Sequence, residues 1–343
     1  MENQEYFPTY NRKKVLITGV GGTVGLALAK IIDRYGPSNL IGLDNCESGL
    51  FLAEQQINGV FTPVLGDIRD ASVVKKIVQG VDILFHVAAL KNVPVCERNP
   101  LEVVRTNLLG LQNIIDSAVA ADVEKLVLTS TDKAVNPTNV MGASKLMGEQ
   151  LIRAANLESK EQSFFSTRFG NVLGSQGSVV PIFSRQIANG GPVTITSNEM
   201  TRFIMTLDDA VEMLLGSVEL ASGGEVFVTK MKAISVRSLV EVMVDKLAPQ
   251  HGISPSDIKI EEIGARPGEK YFEELMTDEE VRRTLELEKY FVIKPALFDM
   301  YRIEDIQYPG VLDTSIVKPY TSNNESLLSN EELTSYMEEA NLI

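Results

Sequence analysis

The stretch Thr18-Gly-Val-Gly-Gly-Thr-Val-Gly25 decides how this chain folds. Before it stands a short apolar run, Lys14–Thr18, and after it an amphipathic pattern, Val24–Tyr35. The stretch therefore reads as the loop between a buried strand and a helix. Each glycine meets a geometric need. Gly19 permits the tight turn, Gly22 lets the backbone approach a pyrophosphate, and Gly25 lets the helix lie close to the strand. Phosphate oxygens are attracted to such a helix N-terminus by its free N–H groups and its dipole. The loop predicts a dinucleotide site.

Outward from this loop the pattern repeats. Strands are expected at Asn39–Asp44, Phe61–Gly66, Val81–Ala88, Lys125–Ser130 and Ser163–Phe169. Helices are expected near Gly49–Asn58, at Ser72–Val78, as one long helix over Pro100–Ala121, and over Val140–Asn156. The strand candidates are runs of Val, Ile and Leu without polar alternation, as in strands covered on both faces. The predicted class is α/β, a doubly wound parallel sheet with a smaller C-terminal substrate domain. The division expected along the chain is 12–171 for the dinucleotide domain, with later elements free to return to the sheet, 172–310 for substrate, and 311–343 as a tail. In the tail, Thr321–Ser326 reads as loop, and Ser329–Asn341 as a short helix with Ser329 as N-cap.

Composition narrows the function. The 343 residues carry a formal net charge of -14, which argues against nucleic-acid or anionic-membrane binding. Only two cysteines and two histidines occur, so neither a disulfide scaffold nor a zinc site is expected. The N-terminus is polar, and no apolar run reaches the roughly 18 residues of a membrane span. A cytoplasmic location is the expectation.

Further site candidates follow from their places at strand ends. Asp44 closes the second strand, where a carboxylate accepts from ribose hydroxyls and repels a 2′-phosphate; Asn45, Cys46 and Glu47 follow it rather than Arg, which favours NAD over NADP. Asp67 and Ile68 follow the third strand and suit the amino group and face of adenine, or an ordinary turn. The small residues Ala88 and Ala89 leave room beside the cofactor, whereas His86, just inside the strand, reads as structural. The segment Ser130–Lys145 follows the fifth strand and enters a helix, at the sheet edge where α/β ligands bind. It contains the adjacent charges Asp132 and Lys133.

With the glycine loop, His86–Ala89, Asn107 and Ser130–Lys145, the chain resembles the extended short-chain dehydrogenase/reductases. That superfamily carries Tyr four residues before its active-site Lys; this chain has Met141 before Lys145. A closer resemblance is to the UDP-N-acetylglucosamine 4,6-dehydratases of the polysaccharide-biosynthesis group. It rests on Ala89-Leu-Lys-Asn-Val-Pro94, Ser130-Thr-Asp-Lys133, Arg168-Phe-Gly-Asn-Val172, Gly177–Phe183, Met200-Thr-Arg-Phe203 and Arg266-Pro-Gly-Glu-Lys270. Some members carry Met where others carry Tyr, and the Met form goes mainly with enzymes that retain configuration at sugar C5.

The resemblance implies oxidation at sugar C4, elimination of water across C5 and C6, and return of hydride to C6, with NAD regenerated in each turnover. It implies Asp132 as acid at O6 and Lys133 as base at C5; a Lys base requires a pKa lowered by burial or by positive neighbours. Lys145 would hold the nicotinamide ribose, and Thr131 is the nearest hydroxyl to replace Tyr. Gly19, Gly22, Thr23, Val24, Asp44, Asp67, Ile68, Ala88, Ala89, Lys91 and Asn107 would line the cofactor. Lys91, Asn171, Ser178, Val179, Pro181, Arg202, Arg266 and Glu269 would meet UDP-N-acetylglucosamine, the arginines by their bidentate fork. The helices Pro100–Ala121 and Val140–Asn156 are those that pair subunits in this superfamily, so at least a homodimer is expected. Two rival readings are a UDP-sugar 4-epimerase, which should have Tyr at position 141, and a non-catalytic NAD-sensing regulator, which should have lost Asp132, Lys133 and Lys145.

Overall fold

The computed structural model describes residues 8–158, 162–175, 177–265, 268–296, 308–313, 316 and 318–343. These residues divide into two units. The first gathers residues up to 169 with 208–230 and 278–318, and the second 170–207, 231–277 and 319–343.

A nine-stranded sheet forms the first unit. Its strands are β1 (Lys14–Thr18), β2 (Asn39–Asp44), β3 (Phe61–Leu65), β4 (Ile83–His86), β5 (Lys125–Thr131), β6 (Ser163–Phe169), β10 (Val226–Thr229), β13 (Thr284–Glu286) and β14 (Tyr290–Ile293). Their order is β13-β14-β10-β6-β5-β4-β1-β2-β3. From β3 through β10 all neighbours are parallel; β14 and β13 add antiparallel edges. The segment β3-β2-β1-β4-β5-β6 is the strand order of dinucleotide-binding sheets, and the order reverses beside β1, the place where such sheets bind their ligands. Three strands thus come back to the sheet from beyond residue 171, because Val226, Phe227, Val228, Val292 and Ile293 are apolar and bury completely there.

Successive side chains of each strand feed opposite faces. Val15, Ile17, Leu40, Phe85 and Val127 pack on one side with helices α1 (Thr23–Asp33), α2 (Glu47–Gln56) and α9 (Leu207–Leu220). Leu16, Ile41, Leu84, Leu126 and Phe164 pack on the other with α3 (Ala71–Ile77), α6 (Leu111–Ala120) and α7 (Val140–Glu158). This two-sided burial is why the strands lack polar alternation.

The expected long helix over Pro100–Ala121 is not uniform. It runs as α5 (Pro100–Val103), a π-helical stretch Val104–Gly110, and α6. Such widened turns recur at functional sites. Just before it lies α4 (Val93–Arg98).

The second unit holds a three-stranded sheet, β7 (Asn171–Val172), β9 (Thr201–Met205) and β11 (Lys232–Ser235), and a parallel pair, β8 (Val193–Ile195) with β12 (Ile260–Glu262). Helices α8 (Val179–Ala188), α10 (Val236–Leu247) and α12 (Asn330–Glu339) bury Phe183, Val240, Met243, Leu333 and Met337 in one core. Helix α12 begins with a full capping box, Ser329 with Glu332. The end of the chain therefore belongs to the second unit's core. Its loop-like stretch is also anchored there, for Thr321 and Ser322 are buried. Among the described residues no helix is long and apolar enough to cross a membrane.

Candidate active site

The glycine loop has the cradle that a pyrophosphate needs. Gly19 has φ 76°, and a Cβ on it would lie 2.7 Å from the Ala88 nitrogen. A Cβ on Gly25 would lie 2.2 Å from the Gly19 carbonyl oxygen, so α1 can approach β1 only through glycine. Gly22 is the N-cap of α1 and makes no side-chain cap, so no side chain of the cap residue stands between the helix N-terminus and a ligand. Thr23 and Val24 open that helix. Asp44 Oδ2 accepts from the Gly21 N–H at 2.8 Å, and Oδ1 from the Cys46 N–H at 2.9 Å. The carboxylate thus ties the end of β2 to the loop it is expected to serve.

Asp67 receives Arg69, whose Nη2 lies 2.6 Å from Oδ2, and Arg69 also reaches Glu102 at 3.0 Å. The guanidinium hydrogen bonds hold the Asp67 carboxyl below its usual range. The Ile68 side chain is buried against Gly110, where a Cβ would lie 2.8 Å from Ile68 Cδ1.

At the ends of β1 and β4, Thr18 Oγ1 meets His86 Nδ1 at 2.9 Å and accepts from the Ala88 N–H at 3.3 Å. Burial, with Lys145 nearby, pushes His86 down to about 3, so it stays neutral and structural. Ala89 leads into the exposed Lys91. Asn107 is buried beside the loop that follows β4. Its Oδ1 takes the Leu90 N–H at 2.8 Å, while Nδ2 donates to the Leu90 carbonyl at 3.0 Å and to Ser144 Oγ at 2.9 Å. Both amide hydrogens are used, so Asn107 holds the loop that follows β4.

The charged pair lies at the carboxyl end of β5. Asp132 is buried, and Lys133 Nζ lies 3.0 Å from each of its oxygens. Thr131 Oγ1 donates to Asp132 Oδ1 at 2.7 Å. Lys133 is thus paired to a carboxylate and about a third exposed, unlike the buried or cation-flanked lysine expected of a free amine. Lys145 is buried on α7 and donates from Nζ to the Thr129 carbonyl at 2.9 Å. Desolvation lowers it to about 8, against the opposing pull of Glu149 one turn further along α7. Met141 sits one turn before Lys145, with its side chain buried among Cys96, Val103, Leu90, Val93 and Val140. It packs α7 against α4 and offers no proton.

Sequence reasoning missed the cluster behind Lys145. Glu149 accepts from Ser130 Oγ at 2.5 Å and from Arg168 at 2.7 and 2.8 Å, and Arg168 also donates to Glu280 at 2.8 and 3.0 Å. All three charged groups are buried. A Glu one turn after the Lys, on the same helix face, was the available signal.

In the second unit, Asn171 starts β7 and Arg202 lies in β9. Arg202 Nη2 stands 3.7 Å from Glu269 and its Nε 3.5 Å from Glu273, and Asn171 Nδ2 donates to Glu273 at 2.5 Å. These three expected substrate contacts are brought together. Ser178, Val179 and Pro181 stand at the first turn of α8, with Ser178 as N-cap. Among the described residues the Ser178 hydroxyl, though buried, has no hydrogen-bond partner. Arg266 lies outside the described residues.

The chain is similar to known proteins over most of its length. Residues 15–295 match the family described as polysaccharide biosynthesis protein. A UDP-N-acetylglucosamine 4,6-dehydratase (inverting) of Campylobacter jejuni is 36% identical over 297 residues, covering 84% of each chain. A UDP-glucose 4-epimerase of Rickettsia canadensis is 36% identical over 336 residues, 94% of each chain. The X-ray structure of Pen from Bacillus thuringiensis is 38% identical and superimposes with a TM-score of 0.88 over 97% of this chain and 99% of that one.

Proposed function

Because this chain belongs to the polysaccharide biosynthesis protein family over residues 15–295, we propose that it is an NAD-dependent UDP-N-acetylglucosamine 4,6-dehydratase that retains configuration at C5. The observation that carries this reading is the Asp132–Lys133 pair at 3.0 Å with the Thr131 hydroxyl on Asp132. An epimerase has no need of it, while a dehydratase needs an acid and a base side by side.

When bound, NAD supplies a hydride acceptor for C4 and a hydride donor for C6. Gly19, Gly22, Thr23 and Val24 would hold its pyrophosphate, Asp44 and Asp67 its adenosine, and Lys145 its nicotinamide ribose, with Ala88 and Ala89 leaving it room. Shift of one proton along the Lys133–Asp132 hydrogen bond converts the ion pair into a neutral carboxylic acid and a free amine. Desolvation by a bound sugar favours that neutral form. Asp132 then protonates O6 as it leaves as water, and Lys133 removes the C5 proton. Thr131 passes the proton of the C4 hydroxyl to water as hydride leaves C4, and after O6 has departed a proton taken back from water restores the one lost by Asp132. Lys133 returns its proton to C5 on the face from which it came, which is retention. Asn171, Arg202, Arg266 and Glu269 would hold the nucleotide-sugar, with Lys91 near it. The Ser178 hydroxyl, without a partner among the described residues, supports a ligand at the start of α8.

The Rickettsia relative favours a second reading, 4-epimerisation. Buried Met141, in the place of a proton-exchanging Tyr, weighs against it. Incubation with UDP-N-acetylglucosamine separates the two by product mass. Loss of one water is the expected result; an unchanged mass with a new 4-epimer would establish epimerisation. No turnover of any UDP-sugar would leave a non-catalytic NAD-binding regulator. Lys133→Ala should abolish dehydration, and full activity in it would sink the base assignment. Proton NMR of the product made in D₂O reads C5, where the Campylobacter relative's name says inverting. A homo-oligomer is proposed as well, since Leu101, Val104, Leu109 and Met147 are exposed on the helices expected to pair; light scattering in solution tests it.

A further inference from the structure

In the second unit the expected substrate contacts meet at a carboxylate that has no assigned role. Glu273 is only 4% exposed. It accepts from Asn171 Nδ2 at 2.5 Å and from the Phe203 N–H at 2.7 Å, and it stands 3.5 Å from Arg202 Nε. A carboxylate only accepts, so Asn171 must turn its NH₂ toward Glu273, which fixes the rotation of the amide. The same carboxylate holds one edge of the Arg202 guanidinium, while Arg202 Nη1 donates to the Thr201 carbonyl at 2.8 Å and to the Tyr271 carbonyl at 3.3 Å.

Glu273 is itself held from near the C-terminus. Its N–H donates to Ser322 Oγ at 2.9 Å, the Ser322 N–H donates to the Glu273 carbonyl at 2.9 Å, and Ser322 Oγ shares a 2.8 Å hydrogen bond with Thr201 Oγ1. Ser322 is fully buried. Beside it Tyr320 lies 4.5 Å, centroid to centroid, from the Phe203 ring. One strand, β9, thus presents Thr201, Arg202 and Phe203 to Glu273 and to the segment 320–322.

We propose that Glu273 is a positioning residue that presets Asn171 and Arg202 for the nucleotide-sugar, and that Ser322 completes this subsite from the C-terminal segment. The inference rests on the reading of Asn171 and Arg202 as substrate contacts. Holding two polar side chains in place before the ligand arrives lowers the ordering cost of binding. The effect falls on ground-state binding and leaves the chemistry at Asp132 and Lys133 alone.

The test uses the full chain with NAD, and Glu273→Gln, which keeps the size but turns one acceptor into a donor. The expected result is a KM for UDP-N-acetylglucosamine raised about tenfold with kcat changed less than about threefold, as for loss of a charge-assisted hydrogen bond in uniform binding. Calorimetric affinity for UDP should fall in parallel, with NAD affinity retained. Ser322→Ala should move KM the same way by a smaller factor. If Glu273→Gln misfolds, Glu273→Asp, which withdraws the carboxylate while keeping its charge, is read in its place. Wild-type KM and UDP affinity in these variants would overturn the proposal while leaving the dehydratase reading intact. If the wild type binds UDP but turns over no UDP-sugar, and the variants lose that binding, the dehydratase reading fails and the positioning role stands.

Discussion

Arg168 and Glu149 face each other through paired hydrogen bonds, Nε to Oε1 at 2.8 Å and Nη2 to Oε2 at 2.7 Å, with both side chains buried. Glu280 receives the other side of the guanidinium, and Ser130 donates to Glu149. The cluster ties β5, β6 and α7 together directly behind Lys145. Glu149→Ala would leave Arg168 and Lys145 short of a buried negative charge. Removing one partner of such a pair costs about 3–5 kcal/mol. Urea unfolding at pH 7 reads the loss; a change below about 1 kcal/mol would mean that water enters and compensates.

Lys145 lies at about 8 when folded, below its unfolded value. Between that value and about 10.4 the unfolded chain binds more protons, so this residue's contribution makes stability rise with pH across that window. Below about pH 8 the desolvation penalty, about 3 kcal/mol, is fully present. Lys145→Met should flatten the rise in unfolding free energy between pH 8 and 10. In the wild type, NAD affinity followed by fluorescence titration should weaken above about pH 8, as the ammonium becomes an amine.

His86 behaves in the acid range. Its folded value of about 3 lies below the unfolded 6.5, so the unfolded chain takes up the proton first as pH falls. Stability from this residue is therefore complete above about pH 6.5 and lost progressively toward 3. His86→Gln should reduce the slope of unfolding free energy between pH 6.5 and 4; an unchanged slope would show that other groups dominate acid unfolding.

Gly25→Ala would place a Cβ 2.2 Å from the Gly19 oxygen, a backbone atom that cannot step aside. The loop must open or α1 must move. Loss of NAD binding by about tenfold or more is expected, together with a lowered melting temperature. Calorimetry with NAD measures the first, and an affinity within twofold of wild type would contradict the close packing of α1 on β1.

Much of this was legible along the chain because the reporting interactions are local. Strand β1, the glycine turn and α1 are contiguous, and β2 and β6 fall on the residues their apolar runs mark. Asp44 and the Asp132–Lys133 pair announce themselves by standing at strand ends. Other partnerships could not be read along the chain. Asn107 meets its partner only when the backbone of Leu90 comes across to take its amide, and Ile68 only when Gly110 makes space for it. The helix over Pro100–Ala121 carries no sign of its π-helical stretch.

The sequence by itself determined the glycine loop, the parallel sheet, the preference for NAD and the adjacency of Asp132 and Lys133, since each is written in adjacent residues or in a short period. Only the tertiary structure decided that 208–230 and 278–318 return to the sheet, that Glu149, Arg168 and Glu280 form one buried charge cluster, and that Glu273, itself held by Ser322, meets Asn171 and Arg202. Those partners are far apart in the chain. What selects them is the need of each buried charge for an opposite charge or a hydrogen bond, and only the folded chain shows which groups come within reach.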